Sequence, residues 1–205
     1  MIVLMSAFLL LSAFSCGGGN KANSTSEQSE ETAVNVPQFD ADSAYLYVKN
    51  QVDFGPRVPN TKEHVACGNY LAGQLEAFGA QVTNQYADLI AYDGTLLKAR
   101  NIIGSYKPES KKRIALFAHW DTRPWADNDP DEKNHNTPIL GANDGASGVG
   151  ALLEIARLVN QQQPELGIDI ILLDAEDYGA PQFYTGKHKE EFWCLGSQYW
   201  ARNPH

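Results

Sequence analysis

Residues 168–177, reading IDIILLDAED, decide the fold of this chain. Within residues 168–173 every side chain except that of Asp169 is large and apolar, and three of the six are isoleucine. A continuous apolar run of this length is typical of a strand in a sheet that is covered on both faces. The stretch therefore predicts an α/β domain in which it forms a buried strand.

Three acidic residues, Asp174, Glu176 and Asp177, stand at the carboxyl end of this strand. Carboxylates repel one another and resist desolvation, so such a cluster requires a compensating positive charge. In open α/β sheets, ligands also gather outside the carboxyl ends of the strands. A metal ion is the first candidate for that charge, and a solvated acidic turn is the alternative.

Helical and strand-like patterns alternate along the rest of the chain. A first helix is expected to begin at Asp40 or Asp42, with Tyr45, Val48 and Val52 on one face. Strands are expected near residue 82 and at residues 99–103 and 113–118, helices at residues 149–159 and 195–202, and a polar surface loop at residues 122–137. The order strand, helix, strand before residue 174 implies parallel strands with a right-handed crossover. The expected fold is a three-layer α/β/α domain with a mixed, mainly parallel central sheet.

The amino terminus carries the features of an export signal. Residues 1–15 are uncharged and nearly all apolar, and they are too few to span a membrane. Their end, AFSC, resembles a bacterial lipoprotein signal, in which Cys16 becomes the lipid-bearing first residue; an ordinary cleaved signal is the alternative. Residues 17–37 are predicted to be a disordered tether, and residues 38–205 the folded domain. We therefore expect an exported protein of the bacterial cell envelope, periplasmic or held at the membrane only through its lipid anchor.

Composition narrows the classes of partner. A net charge of −9 argues against nucleic acid, while a hydrophobic content of 43% with four tryptophans is enough for the core of one domain. If Cys16 carries lipid, Cys67 and Cys194 remain, and the sequence leaves open whether they are bonded. It also leaves the oligomeric state open.

Three predicted junctions between strands and loops carry groups that bind metals or move protons: His119 with Asp121, Asn143 with Asp144, and Glu176 with Asp177. Zinc prefers nitrogen and carboxylate ligands and keeps one position open when it is catalytic. A neighbouring carboxylate that does not bind the metal can act as a general base. The combination, in this order and spacing, predicts a metal-dependent active site.

Three short blocks carry a resemblance to a known family. AHWD at residues 118–121, GANDGASG at residues 141–148 and LLDAED at residues 172–177 resemble, in order, the blocks of the zinc aminopeptidases, metallopeptidase family 28. This family also contains the animal-type glutaminyl cyclases, and FGPRVPN at residues 54–60 is similar to the start of the cyclase domain. The resemblance covers residues 40–205 and implies that Asp144 and Asp177 bind zinc while Glu176 is the general base.

The resemblance also suggests roles for neighbouring groups. His119 matches a histidine that binds a second zinc in the two-metal aminopeptidases and is not a ligand in the single-zinc cyclases. Asp121 would orient His119 by a hydrogen bond. The family's last zinc ligand, a histidine, and a further catalytic aspartate of the cyclases are expected beyond residue 205, since His205 follows Asp177 too closely. The chain is thus expected to be the amino-terminal part of a longer domain.

The segment between Asp177 and Leu195 favours one activity within the family. It is an insertion with aromatic residues that resembles the cyclases, in which a tryptophan walls the substrate pocket; Trp193 is the candidate, with core packing as the alternative. The implied reaction is the zinc-dependent conversion of the amino-terminal glutamine of peptides and proteins to pyroglutamate with release of ammonia, an acyl transfer. A zinc aminopeptidase and an inactive, truncated envelope lipoprotein are the alternatives.

Overall fold

The computed structural model describes residues 35–205, so the predicted signal of residues 1–16 and nearly all of the predicted tether of residues 17–37 lie outside the described residues. In chain order the elements are α1 (Ala41–Asp53), α2 (Lys62–Ala77), β1 (Gln81–Ile90), β2 (Leu96–Tyr106), β3 (Arg113–His119), α3 (Gly148–Gln161), β4 (Gly167–Leu173) and α4 (Leu195–Arg202). Short helical segments lie at Glu132–Asn134, Ala142–Ser147 and Glu190–Phe192. Among the described helices, none combines the length and the apolar character that a membrane crossing needs.

The four strands form one sheet in the order β1-β2-β4-β3. β3 and β4 are parallel, which agrees with the crossover expected from the order β3, α3, β4. β1 pairs with β2, and β2 with β4, in antiparallel fashion. The predicted α/β class and mixed sheet are confirmed, and within the described residues the antiparallel pairings outnumber the parallel one.

The second central strand, β4, is buried along its whole length, as its composition predicted. Because successive side chains of a strand point to opposite faces, Ile170 and Leu172 join the large core beneath α1, α2 and α3. Ile171 and Leu173 lie on the other face, in a smaller cluster with Trp200 of α4. The sheet is therefore covered on both sides, which is the three-layer arrangement.

Helix α1 begins where expected, but the face that it presents to the core differs in part from the prediction. Asp40 caps it, its carboxylate accepting hydrogen bonds from the first-turn backbone N–H groups. The predicted inner face was wrong for Tyr45, which is 73% exposed, whereas Val48 and Val52 are half-buried and Val48 packs on Gly150 of α3. Tyr47 and Gln51, which were not predicted to face the core, are buried. The Gln51 amide donates to the carbonyl oxygens of Tyr47 and Ala146, 2.9 Å and 3.1 Å away. The hydrogen bond from Gln51 to Ala146 helps to fix which face of α1 is turned towards the core.

A buried, hydrogen-bonded histidine–aspartate pair closes the carboxyl end of β4. Both carboxylate oxygens of Asp174 lie 2.9–3.0 Å from Nε2 of His64, and the backbone N–H groups of Arg100 and Ala175 donate to the same carboxylate. The His64 ring stacks on Trp120 with 4.3 Å between ring centroids. Asp174 is fully buried. It therefore stabilises the end of the strand, and of the three acids only Glu176 and Asp177 remain available for metal binding or proton transfer.

We expect His64→Ala to lower the free energy of unfolding by about 2–4 kcal/mol, because it removes the hydrogen-bond partner of the fully buried Asp174 carboxyl group and the ring contact with Trp120. Urea unfolding followed by circular dichroism measures the change. The matched control is His188→Ala, since His188 is exposed and the change should stay within about 0.5 kcal/mol. Equal stability of the two variants would contradict a structural role for the pair.

Candidate active site

The three predicted junctions meet at one edge of the sheet. β3 and β4 are parallel and in register, with His119 opposite Leu173, so both strands end at the same level. His119 lies close to one carboxylate of each junction. Its Nε2 is 2.9 Å from Asp144 Oδ1, and its Nδ1 is 3.6 Å from Asp121 Oδ1 and 3.7 Å from Glu176 Oε2. Residues far apart in sequence thus form one cluster of carboxylates around an imidazole.

His119 is hydrogen-bonded on one side of its ring only. Its Nε2–H donates to Asp144, while Nδ1 has no hydrogen-bond partner among the described residues. Burial disfavours the charged imidazolium, but the carboxylates of Asp121, Glu176 and Asp144 outweigh it and raise the pKa of His119 to about 9. The surrounding carboxylates thus favour the charged form of the imidazole.

Asp121 supports a different partner from the one predicted. The expected hydrogen bond to His119 is not formed, because the two groups stay 3.6 Å apart. Instead, Oδ1 and Oδ2 of the fully buried Asp121 accept hydrogen bonds from the backbone N–H groups of Glu176 and Asp177, each at 3.1 Å. Ala175, just before them, adopts φ 50°, which turns the chain sharply away from β4. Asp121 thereby fixes the backbone of the acidic pair.

Asp144 lies at the mouth of the cluster. Its backbone, with φ −109° and ψ 104°, interrupts the helical segment Ala142–Ser147, and the peptide bond that follows it is cis. Its side chain is 66% exposed. A Cβ atom at Gly145 would collide with the carbonyl oxygen and the ring of His119, so only glycine permits this close approach. The glycine-rich sequence of this turn thus allows Asp144 to reach the imidazole.

The side chain of Glu176 is partly open to solvent, with 32% of it exposed. Its Oε1 accepts a hydrogen bond from the Cys194 thiol, with 3.4 Å between sulfur and oxygen. Burial and the nearby Glu176 raise the pKa of Cys194 to about 11, so the sulfur keeps its proton and remains a donor. Cys67 and Cys194 are both free. An accessible carboxylate with one fixed oxygen can accept a proton from a bound molecule.

Asp177 is in a very different environment from its neighbour. Its side chain is 9% exposed, and its buried Oδ2 has no hydrogen-bond donor among the described residues. Burial together with the charge of Asp121 raises its pKa to about 7, although Arg123 acts in the opposite direction. A buried oxygen without a donor, next to other carboxylates, is a site that a cation would stabilise.

Asp144 and Asp177 fit the requirements for binding a divalent metal ion. The charge of Asp144 contributes to the raised pKa of Asp177, so the two carboxylates are near neighbours, and oxygen donors are accepted by zinc and by harder cations. Within residues 35–205 no group of three histidine, cysteine or acidic side chains is spaced to hold a metal by itself. These two residues would therefore supply part of a ligand set.

Two functional candidates, Arg123 and Asp127, were missed because residues 122–137 were predicted to be a surface loop. That prediction is wrong for its first part, where both residues are buried. Nε and Nη2 of Arg123 donate to Asp127 at 2.7 Å and 2.6 Å, and Nη1 lies 3.6 Å from Asp177 Oδ1. The i, i+4 spacing of the arginine and the aspartate was the available signal, but it is common on exposed surfaces. A cavity of about 270 Å³ opens between this segment and Asp144.

Trp193 packs against the active-site loops and stays partly exposed. The Arg123 guanidinium lies over its ring at 4.9 Å, and the ring sits so close to Gly179 that no side chain fits there. Beside it, edge-to-face contacts join further aromatic residues into one cluster, Tyr92, Trp125, Tyr178, Tyr184 and Phe192. His205 lies elsewhere, 3.6 Å from Asp169 at the amino end of β4.

Known proteins resemble this chain in sequence and fold. The model of peptidase family M28 matches residues 101–205. A crystal structure of Bacteroides thetaiotaomicron glutaminyl cyclase bound to N-acetylhistamine is 95% identical, covers 83% of this chain and 59% of that chain, and superposes with a TM-score of 0.83. A structure of a leucine aminopeptidase precursor from the same species gives the same four values.

A more distant structure, the glutaminyl cyclase of Tannerella forsythia, is 58% identical, covers 82% of this chain and 58% of that chain, and has a TM-score of 0.80. The chain spans about three fifths of the length of these structures. It spans about a third or less of the curated relatives that it matches.

Proposed function

This chain belongs to peptidase family M28, and from that membership we propose that the protein is a zinc-dependent glutaminyl-peptide cyclotransferase. It converts the amino-terminal glutamine of a peptide or protein to pyroglutamate and releases ammonia. The observation that carries the proposal is the 95% identity to a protein described as a glutaminyl cyclase. The aromatic residues of the insertion between Asp177 and Leu195 favour the cyclase over the equally similar protein described as an aminopeptidase precursor. The accessible carboxylate of Glu176 beside two further carboxylates suits the proton transfers of that reaction.

Asp144 and Asp177 are the proposed zinc ligands of this chain. When bound, zinc supplies Lewis-acid polarisation of the side-chain carbonyl of the substrate glutamine. The donor-free Oδ2 of Asp177 and the partly exposed carboxylate of Asp144 are the observations that support this assignment. His119 joins the ligands only if a second zinc binds.

Glu176 moves the proton. The free α-amine of the substrate attacks its own side-chain amide carbon, so a ring carbon–nitrogen bond forms and the bond to the amide nitrogen breaks. Glu176 accepts the proton that the attacking amine loses and returns it to the departing nitrogen, which leaves as ammonia. The thiol of Cys194 fixes one oxygen of this carboxylate, and Asp121 fixes its backbone.

Trp193 is the proposed wall of the substrate pocket. A flexible glutamine side chain reacts faster when a rigid surface keeps it in ring-forming geometry. The contact with Arg123 and the close packing on Gly179 limit the movement of this indole. These contacts support a preformed wall.

We expect Trp193→Ala to raise KM for a glutaminyl peptide about threefold to tenfold, the equivalent of one lost aromatic contact. The value of kcat should fall as well, because the bound glutamine side chain is no longer held in ring-forming geometry. Steady-state ammonia release measures both constants. Trp200→Ala is the matched control, since Trp200 packs on Phe117 on the face of the sheet opposite the large core. An unchanged KM in Trp193→Ala would contradict the pocket assignment.

A second candidate is a zinc aminopeptidase, favoured by the equally similar protein described as a leucine aminopeptidase precursor. In that reaction Glu176 would activate a water molecule, and His119 would become a metal ligand. A third, non-catalytic reading is an envelope lipoprotein without bound metal.

One experiment separates the three functions. The full-length protein is supplied with zinc and incubated with a peptide that begins with glutamine, and the products are identified by mass spectrometry. Loss of one ammonia from an otherwise intact peptide is the expected result. Release of the first residue would overturn the proposal in favour of the aminopeptidase, and an unchanged peptide would favour the non-catalytic protein.

We also propose that the protein is exported to the bacterial cell envelope and anchored through lipid on Cys16. The support is the apolar start of the sequence and its AFSC end. Its partners are peptides and proteins that begin with glutamine. Cys16→Ser is expected to release the protein from the membrane fraction.

A further inference from the structure

We propose that Arg57 is the positioning residue that holds together the three junctions of the candidate active site. This inference rests on the proposed function, because it concerns the zinc ligands of that site. The side chain of Arg57 is 0% exposed. A buried guanidinium is costly unless all its donors are satisfied, so its presence in the core calls for a specific role.

Main-chain carbonyl groups satisfy the Arg57 guanidinium. Nε donates to the carbonyl oxygen of Trp120 at 3.2 Å, Nη1 to that of Leu140 at 2.6 Å, and Nη2 to that of Gly141 at 2.8 Å. A longer contact of 3.5 Å joins Nη1 to the carbonyl of Gly55. In the part of the chain that the structure describes, no carboxylate is hydrogen-bonded to it.

These carbonyls belong to two of the three junctions. Trp120 lies between His119 and Asp121, and Gly141 opens the glycine-rich turn that carries Asp144. The N–H donors of a guanidinium form a rigid planar fork, so three carbonyl oxygens bonded to it keep fixed positions relative to one another. Arg57 therefore sets the separation between the end of β3 and the turn of Asp144.

The third junction is reached through Asp121, which follows Trp120 directly in the chain. Its carboxylate accepts hydrogen bonds from the backbone N–H groups of Glu176 and Asp177, each at 3.1 Å. The Arg57 contact with the carbonyl oxygen of Trp120 therefore also positions the carboxylate that holds the acidic pair. Arg57 thus supports all three junctions without touching a reacting atom.

The test compares Arg57→Met and Arg57→Lys with the control Arg113→Met in the full-length protein. Arg113 is a partly buried arginine that binds the carboxylate of Asp169 at the opposite end of β4. Two quantities are measured: hydrogen exchange of the metal-free proteins by mass spectrometry, and the zinc dissociation constant by competition with a chromophoric chelator. Neither depends on turnover.

For Arg57→Met we expect faster exchange in residues 119–123 and 139–147, and zinc binding about 10- to 100-fold weaker, as for other groups that orient metal ligands. Arg57→Lys should fall between this variant and the wild type, because an ammonium group keeps the charge but not the fork. Arg113→Met should leave zinc affinity within about twofold of the wild type. Wild-type exchange and wild-type zinc affinity in Arg57→Met would overturn the inference.

Two further outcomes are also decisive. If Arg57→Met does not fold, Arg57→Lys takes its place, and wild-type behaviour of that variant in both measurements would overturn the inference. If the wild-type protein itself binds no zinc, the proposed function fails, whereas hydrogen exchange in the two segments still decides whether Arg57 positions them.

Discussion

Glu176→Gln is expected to lower kcat for pyroglutamate formation by about 10²- to 10⁴-fold, the usual contribution of a positioned general base. Glutamine has the shape of glutamate but cannot accept the proton of the attacking amine. Zinc content should not change, because the assigned ligands are Asp144 and Asp177. Ammonia release gives kcat, and atomic emission after dialysis gives the zinc content.

The control for this variant is Glu191→Gln. Glu191 lies in the insertion that follows Asp177, and its side chain is 64% exposed and paired with Lys189. It should keep full activity. Full activity in Glu176→Gln would remove Glu176 from the mechanism, and loss of zinc in that variant would show that Glu176 is a ligand.

Asp177→Asn is expected to reduce zinc affinity by more than about 100-fold, which exceeds the usual effect of losing a group that only orients a ligand. The amide keeps the volume of the side chain but removes the charge from the buried Oδ2, which has no donor among the described residues. The metal-free variant should be at least as stable as the wild type, since one repulsive carboxylate is gone. Chelator competition and thermal unfolding measure the two effects.

Asp169→Asn provides the comparison. Asp169 lies at the opposite end of β4 and accepts hydrogen bonds from Arg113 and Ser105. Its replacement should lower stability and leave zinc affinity unchanged, the reverse of the result for Asp177→Asn. Stoichiometric zinc in Asp177→Asn would contradict its assignment as a ligand.

Much of the fold could be predicted from local pattern alone. The apolar side chains of β4 point to both faces of the sheet, so they can all be buried only when a layer covers each face. The structure places helices on both faces. The parallel pairing with β3 follows from the intervening helix. That pairing also explains why the groups of three separate blocks meet, because parallel strands in register end at one edge of the sheet.

The supporting interactions could not be predicted in the same way. Arg57, Arg123 and Asp127 occur outside the predicted helices and strands, yet they are buried because main-chain carbonyls or each other satisfy them. The carbonyl partners of Arg57 are far apart from it in sequence, and the i, i+4 spacing of Arg123 and Asp127 is too common on exposed surfaces to predict burial. The backbone hydrogen bonds of Asp121 were not predicted for a similar reason: a carboxylate accepts from whichever donors the folded backbone presents.

Asp121 binds the backbone N–H groups of Glu176 and Asp177, and every residue except proline has such a group. These two hydrogen bonds of the turn therefore do not depend on which side chains stand at positions 176 and 177. Glu176 and Asp177 can be exchanged for other residues without releasing the anchor beneath them. A scaffold built in this way can acquire new chemistry by single replacements, which makes this turn a suitable starting point for redesigning the enzyme.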